Sequence, residues 1–172
     1  MQGDFINNIF DIKATIEVLK NSLLIKDQQK LKILCAMPKL RTFNLIEDFS
    51  CSSTKPYLLK PLSFMQRKAI AKTRLGVLPI RLETGRYERP KLAAELRLCQ
   101  QCNLDVAEDE IPFLLQCPRN SLLRDKLFSQ INIETFDSFG SIEKIKYLLS
   151  SPDIVKQTSQ FIINALDNRL IP

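Results

Sequence analysis

Apolar residues recur at helical spacing along most of the chain, and proline, glycine or a capping side chain marks the breaks between runs. From residue 4 to about 36, Ile12, Ile16, Val18 and Leu19, and then Leu24, Leu31, Ile33 and Leu34, fall at helical intervals. This spacing predicts helix. Asn21-Ser22 either breaks the run or caps a second helix. Met37-Pro38 ends it, because the residue before proline is pushed out of the α region. Over residues 39–61, Leu40, Phe43, Leu45, Ile46 and Phe49 suit a short helix or an extended piece, and Cys51 to Pro56 reads as loop.

The clearest signals bracket residues 63–75. Ser63 with Gln66 three positions later forms a capping box, and Gly76 suits the position just past the end. Phe64, Ala71 and Leu75 lie along one line of this helix, with Leu62, Met65 and Ala69 nearly opposite, so packing on two sides is expected. Arg67, Lys68, Lys72 and Arg74 flank the Phe64 line, where their amines and guanidinia reach solvent or a phosphate. Val77 to Gly85 reads as an ordered connection with room for one helical turn, and Leu92 to Leu96 as another turn.

Glu108 to Gln116 predicts a short helix whose first-turn acids complement its dipole. Pro118 then suits the first position of the next helix, which carries Leu122, Leu123, Leu127, Phe128 and Ile131 inward. Ser141 caps a helix with Ile142, Ile145, Leu148 and Leu149 on one face. Ser151-Pro152-Asp153 starts the last, whose stripe is Ile154, Val155, Thr158, Phe161, Ile162 and Ala165. The expectation is a mainly α, irregular helical domain with a small Cys-x2-Cys knuckle-like insertion. Its segments are 1–61, 62–135 and 136–172, forming one compact unit.

Composition narrows the function classes. The 172 residues are 45% hydrophobic and 26% charged, as in ordinary globular proteins. The longest apolar run is Ile33 to Met37, against the roughly 20 residues a membrane span needs. Met1 to Asn8 has neither a basic nor an apolar leader region. Five cysteines, an odd number, with two in Cys-x2-Cys spacing, suggest a reducing intracellular compartment, nuclear or cytoplasmic. The net charge of +6 is unevenly spread: residues 55–98 carry 11 basic and 3 acidic side chains, while residues 99–172 carry 7 and 10. A central basic block of this kind suits a polyanion such as nucleic acid; a solvated face is the plainer alternative.

Candidate chemistry concentrates between Arg86 and Cys117. Cys99 and Cys102 are spaced to reach one zinc ion, and Cys117 is a third thiolate donor. A histidine at position 112 would complete Cys-x2-Cys-x9-His-x4-Cys, but Pro112 stands there, and the chain has no histidine at all. The fourth ligand is then Glu108, Asp109 or Glu110, Cys35 or Cys51, or water. Zinc is one reading of the thiols; small buried residues holding a turn, or a redox pair at Cys99 and Cys102, are the others. Without histidine there is no Ser–His or Cys–His nucleophile pair. No Tyr-x-Asp-Asp turn gathers acids around divalent metals, so a non-catalytic chain is expected.

Several stretches together carry a resemblance: Leu62-Ser63-Phe64-Met65-Gln66-Arg67, Ala71 to Ile80, Glu83-Thr84-Gly85-Arg86-Tyr87, Leu98 to Cys102, and Glu108-Asp109-Glu110 running to Cys117-Pro118. Pro38 to Phe43 upstream, and Lys144 to Leu149 and Phe161 to Ala165 downstream, extend it over most of the chain. The pattern resembles the C-terminal tail of reverse transcriptases encoded by animal non-long-terminal-repeat retrotransposons. That family's tail lies beyond the polymerase domain, bears a zinc-knuckle-like motif and is thought to help bind element RNA or target DNA. The family's histidine falls on Pro112 here. The resemblance implies RNA or DNA as partner and no membrane. Arg67, Lys68, Lys72, Arg74, Arg81, Arg86, Arg89 and Lys91 are the phosphate contacts to expect, with Tyr87 available to stack on a base. An inert structural or protein-interaction fragment of a degenerate element is the alternative.

Overall fold

The long helix beginning at Val155 organises the fold, because three other helices pack on it. The computed structural model describes residues 17–27, 29–30, 33, 40–46, 56–131 and 136–169. Helices are numbered from Arg41: α1 Arg41–Ile46, α2 Phe64–Leu75, α3 Arg81–Thr84, α4 Ser121–Phe128, α5 Ser141–Ser150 and α6 Val155–Asp167. The α2–α6 pair makes the largest interhelical contact; α4 and α5 also lie on α6, and α1 bridges α2 and α5. The fold is mainly α. Among the described residues the strand-like pairing is a single antiparallel bridge, Leu98 to Ala107, and no helix is long and apolar enough to cross a membrane.

The α6 stripe is buried as its spacing predicts: Ile154, Val155, Thr158, Phe161, Ile162 and Ala165 all lie inside. The buried cluster draws Ile46 from the first segment, Leu62 to Ile131 from the second and Phe136 to Ala165 from the third. Fully buried side chains such as Ile70, Leu78, Phe113, Leu148 and Ile162 each contribute about 1.5–3 kcal/mol of apolar transfer.

Helix α2 keeps both of its predicted ends. Ser63 accepts the Gln66 N–H at 3.3 Å, and Gln66 Oε1 returns to the Ser63 N–H at 3.0 Å. Gly76 closes the helix at φ 71°, a left-handed conformation that a Cβ disfavours. Its burial differs from the two-sided packing expected. One face, Ala69, Ile70, Thr73 and Arg74, is buried, while Phe64 is 71% exposed and Met65 55%. The core has one side of α2 to fill, and the Phe64, Ala71 and Leu75 line meets solvent.

Other differences are local. Residues 17–27 are helical, but Val18, Leu19, Leu23, Leu24 and Ile25 are exposed. Leu122 points outward rather than inward, with Leu127 and Ile131 buried on the opposite side of α4 and beyond its end. The cap of α5 is Gly140, not Ser141; its N–H donates to Glu143 Oε2 at 2.6 Å, a capping contact that needs no side chain at the cap. The predicted turn at Leu92 to Leu96 is a 3-10 turn over Ala94–Leu96. The helix expected over residues 4–16 and its stop at Met37-Pro38 lie outside the described residues.

Candidate metal centre and basic surface

Residues 97–108 form a hairpin-like excursion. The Leu98–Ala107 bridge and the Glu108 N–H donating to Arg97 O at 2.9 Å hold its two arms together. Asp105 turns the loop in the left-handed region, at φ 53°, a conformation that aspartate tolerates better than most side chains. Arg97 packs so closely on Gly85 that a Cβ there would meet its Cγ at 2.9 Å. From that position Arg97 donates to Leu82 O and Leu92 O, tying the excursion to α3. The Cys99 sulfur accepts the Gln101 N–H at 3.4 Å across the thiol turn.

Cys117 comes from a different element. The helical segment ending at Gln116 widens to a π turn over Pro112–Gln116, and the Cys117 N–H closes on Pro112 O at 2.8 Å. The buried Arg124 of α4 donates through both terminal nitrogens to Cys117 O, so the thiol's backbone is held on both sides.

These two elements bring the three cysteines together. The sulfurs of Cys99, Cys102 and Cys117 all lie within 4.8 Å of one another, and all three are free thiols. Tetrahedral zinc with bonds of about 2.3 Å places its sulfurs about 3.8 Å apart, so the donor set fits a metal ion after a small contraction. No carboxylate of the described residues joins the sulfurs within that distance. The three acids proposed as a fourth ligand each hold other partners, and Glu108 also touches the Cys99 thiol. Glu110 accepts the Thr42 hydroxyl at 2.8 Å. Asp109 accepts the Ile111 N–H at 2.7 Å. Glu108 accepts the Arg81 N–H at 2.9 Å and both terminal nitrogens of Arg169. Cys35 and Cys51 lie outside the described residues. Cys99, Cys102 and Cys117 are therefore placed to hold a metal through three thiolates.

The Glu108–Arg169 pair was not foreseen. The sequence places the Glu-Asp-Glu run as a complement to a helix dipole; in the structure Glu108 and Glu110 are buried, at 1% and 2% exposed. Glu108 lies just before the helical segment, which opens at Glu110 and runs into the π turn. Burial pushes the Glu108 carboxyl up; hydrogen bonds from Arg169, the Cys99 thiol and the Arg81 N–H outweigh it and hold the group below its ordinary range. Burial, with the hydrogen bond to Glu108 next, pushes the Cys99 thiol up to about 11. The Arg169 guanidinium also lies 4.8 Å over the Phe113 ring.

The structure divides the expected phosphate contacts. Arg67 and Lys68 are exposed on α2 and Lys72 half-exposed, and none makes an ion pair among the described residues. Arg89 and Lys91 are exposed on the approach to the thiols. Tyr87 is 74% exposed, its hydroxyl donating to Glu83 at 3.2 Å. Three arginines are differently placed. Arg74 does not reach solvent: it is 4% exposed and donates to Leu149 O at 2.9 Å and Ser150 Oγ at 3.0 Å, capping α5. Burial pushes its guanidinium down to about 10. Arg81 forks onto Glu88, and Arg86 pairs with Glu83 at 3.0 Å.

No family model matches this chain, and no curated protein or solved structure gives a significant match.

Proposed function

We propose that this chain is a non-catalytic module that binds single-stranded nucleic acid through the solvent face of α2. The observation that carries the reading is the side-by-side exposure of Arg67 and Lys68 with Phe64 and Met65 on one helix. Cations beside exposed rings and thioethers suit a strand that offers phosphates and base faces together. Lys72, Arg89 and Lys91 extend the surface. In this reading the thiol cluster is structural. A metal held there would tie the hairpin to the segment before α4 and keep the approach carrying Arg89 and Lys91 in place. The reading agrees with the resemblance to the tail of retrotransposon reverse transcriptases.

The test is fluorescence anisotropy with a labelled single-stranded RNA at low salt. Substituting both Lys68 and Lys72 by Glu is expected to weaken binding at least tenfold, while Arg74→Lys leaves the affinity of the folded fraction unchanged. Equal affinity of the double variant and the parent chain contradicts the proposal.

The pairing of Arg81 with Glu88 and of Arg86 with Glu83 favours a second reading, a helical protein-interaction module. It predicts no measurable RNA binding at any salt concentration.

A further inference from the structure

A groove of about 180 Å³ lies between α2 and α6, on the same helix as the proposed phosphate contacts. Ala69 and Leu78, 7% and 0% exposed, form its floor; Met65, Ile163 and Leu166 form its walls. Met65, Lys68, Ala69 and Lys72 line it because positions i, i+3, i+4 and i+7 share one helix face. The aliphatic stems of Lys68 and Lys72 thus complete the apolar wall while their ammonium groups stand at the mouth. Asp167, exposed at the end of α6, brings one carboxylate to the same groove.

From this arrangement we infer that the groove takes one unstacked nucleobase of the bound strand, an inference that rests on the nucleic-acid reading above. The volume is below the roughly 300–1,000 Å³ of pockets that hold drug-sized ligands, so it suits a single ring system rather than a whole nucleotide. Apolar walls remove the base faces from water, and the two ammonium groups meet the flanking phosphates. The Asp167 carboxylate accepts N–H donors from the base edge, which an aliphatic side chain of a peptide does not have. Charge complementarity therefore selects a flat ring with donor groups at its edge and an anionic chain beside it.

The test compares a short oligouridylate with an abasic strand of the same length and measures both affinities across a salt series. The base-bearing strand is expected to bind about tenfold tighter, the scale of one stacked base. Ala69→Phe, which fills the groove, is expected to erase that preference while salt-dependent abasic binding remains; circular dichroism checks that the variant is folded. Photocrosslinking of the parent chain to a 4-thiouridine strand needs no variant and is expected to label Met65, Lys68 or Leu166. Equal, salt-dependent affinities for the two strands, or crosslinks confined to Phe64 and Tyr87, overturn the groove assignment and leave the nucleic-acid reading standing. No binding of either strand, with or without capture of a leucine-bearing acidic peptide, overturns both.

Discussion

Arg169 sets both terminal nitrogens of its guanidinium on Glu108, a buried carboxylate 61 residues earlier in the chain. The pair joins the residues just after α6 to the base of the thiol hairpin. Removing one partner of a buried pair leaves the other charge uncompensated, which costs about 3–5 kcal/mol. Glu108→Gln is therefore expected to destabilise the chain by about that amount in urea denaturation. A loss below about 1 kcal/mol contradicts a buried pair and matches a surface one.

The same carboxylate adds a pH dependence. Its folded pKa is depressed, so its stabilisation is fully present above the ordinary carboxylate value and lost as pH falls through its lower folded value. Melting temperature followed from pH 7 downward is expected to drop in the parent chain and to drop less steeply in Glu108→Gln. Parallel acid limbs in the two proteins would assign the loss to other groups.

Three converging thiols predict binding of Co²⁺ with sulfur-to-metal charge-transfer absorption, and release of protons on loading. Cys117→Ser is expected to weaken binding at least tenfold. Pro112→His is expected to strengthen it at least tenfold, because the π turn sets residue 112 beside Cys117. Unchanged affinity in both variants would mean that the sulfurs do not act together.

Arg74 is the basic side chain whose role the structure changes most. Arg74→Met strips Leu149 O and Ser150 Oγ of their donor, and leaving buried acceptors unsatisfied costs about 1–3 kcal/mol. Chemical denaturation should register that loss, while RNA affinity of the folded protein stays within twofold. A selective loss of affinity with unchanged stability would return Arg74 to the binding surface.

At the start of α2, Ser63→Ala removes a capping oxygen and is expected to cost about 1 kcal/mol. A loss near zero would show that Gln66 holds the helix start alone.

Local rules made α2 and α6 legible in the sequence. Ser63, Gln66 and Gly76 act within one turn of the ends they define, and the α6 stripe follows helical spacing without interruption. The thiol spacing was legible for the same reason: Cys99 and Cys102 share one turn, and Cys117 follows after a single short segment. What escaped depends on contacts between distant residues. Arg74 resembles Arg67 and Lys68 in sequence, and its contacts with Leu149 O and Ser150 Oγ separate it from them. Glu108 resembles a first-turn acid until Arg169 arrives from the far end of the chain. The outward turn of Phe64 and Leu122 likewise reflects how little of α2 and α4 the core can cover, which periodicity does not report.

The central claim is that the exposed face of α2 binds nucleic acid through its phosphates, and the dependence of RNA affinity on salt tests it most directly. Three phosphate contacts from Arg67, Lys68 and Lys72 predict that log K falls against log salt with a slope of about −2. The Lys68→Glu, Lys72→Glu protein should lose most of that slope. An affinity that is unmeasurable at low salt, or indifferent to ionic strength, would contradict the account.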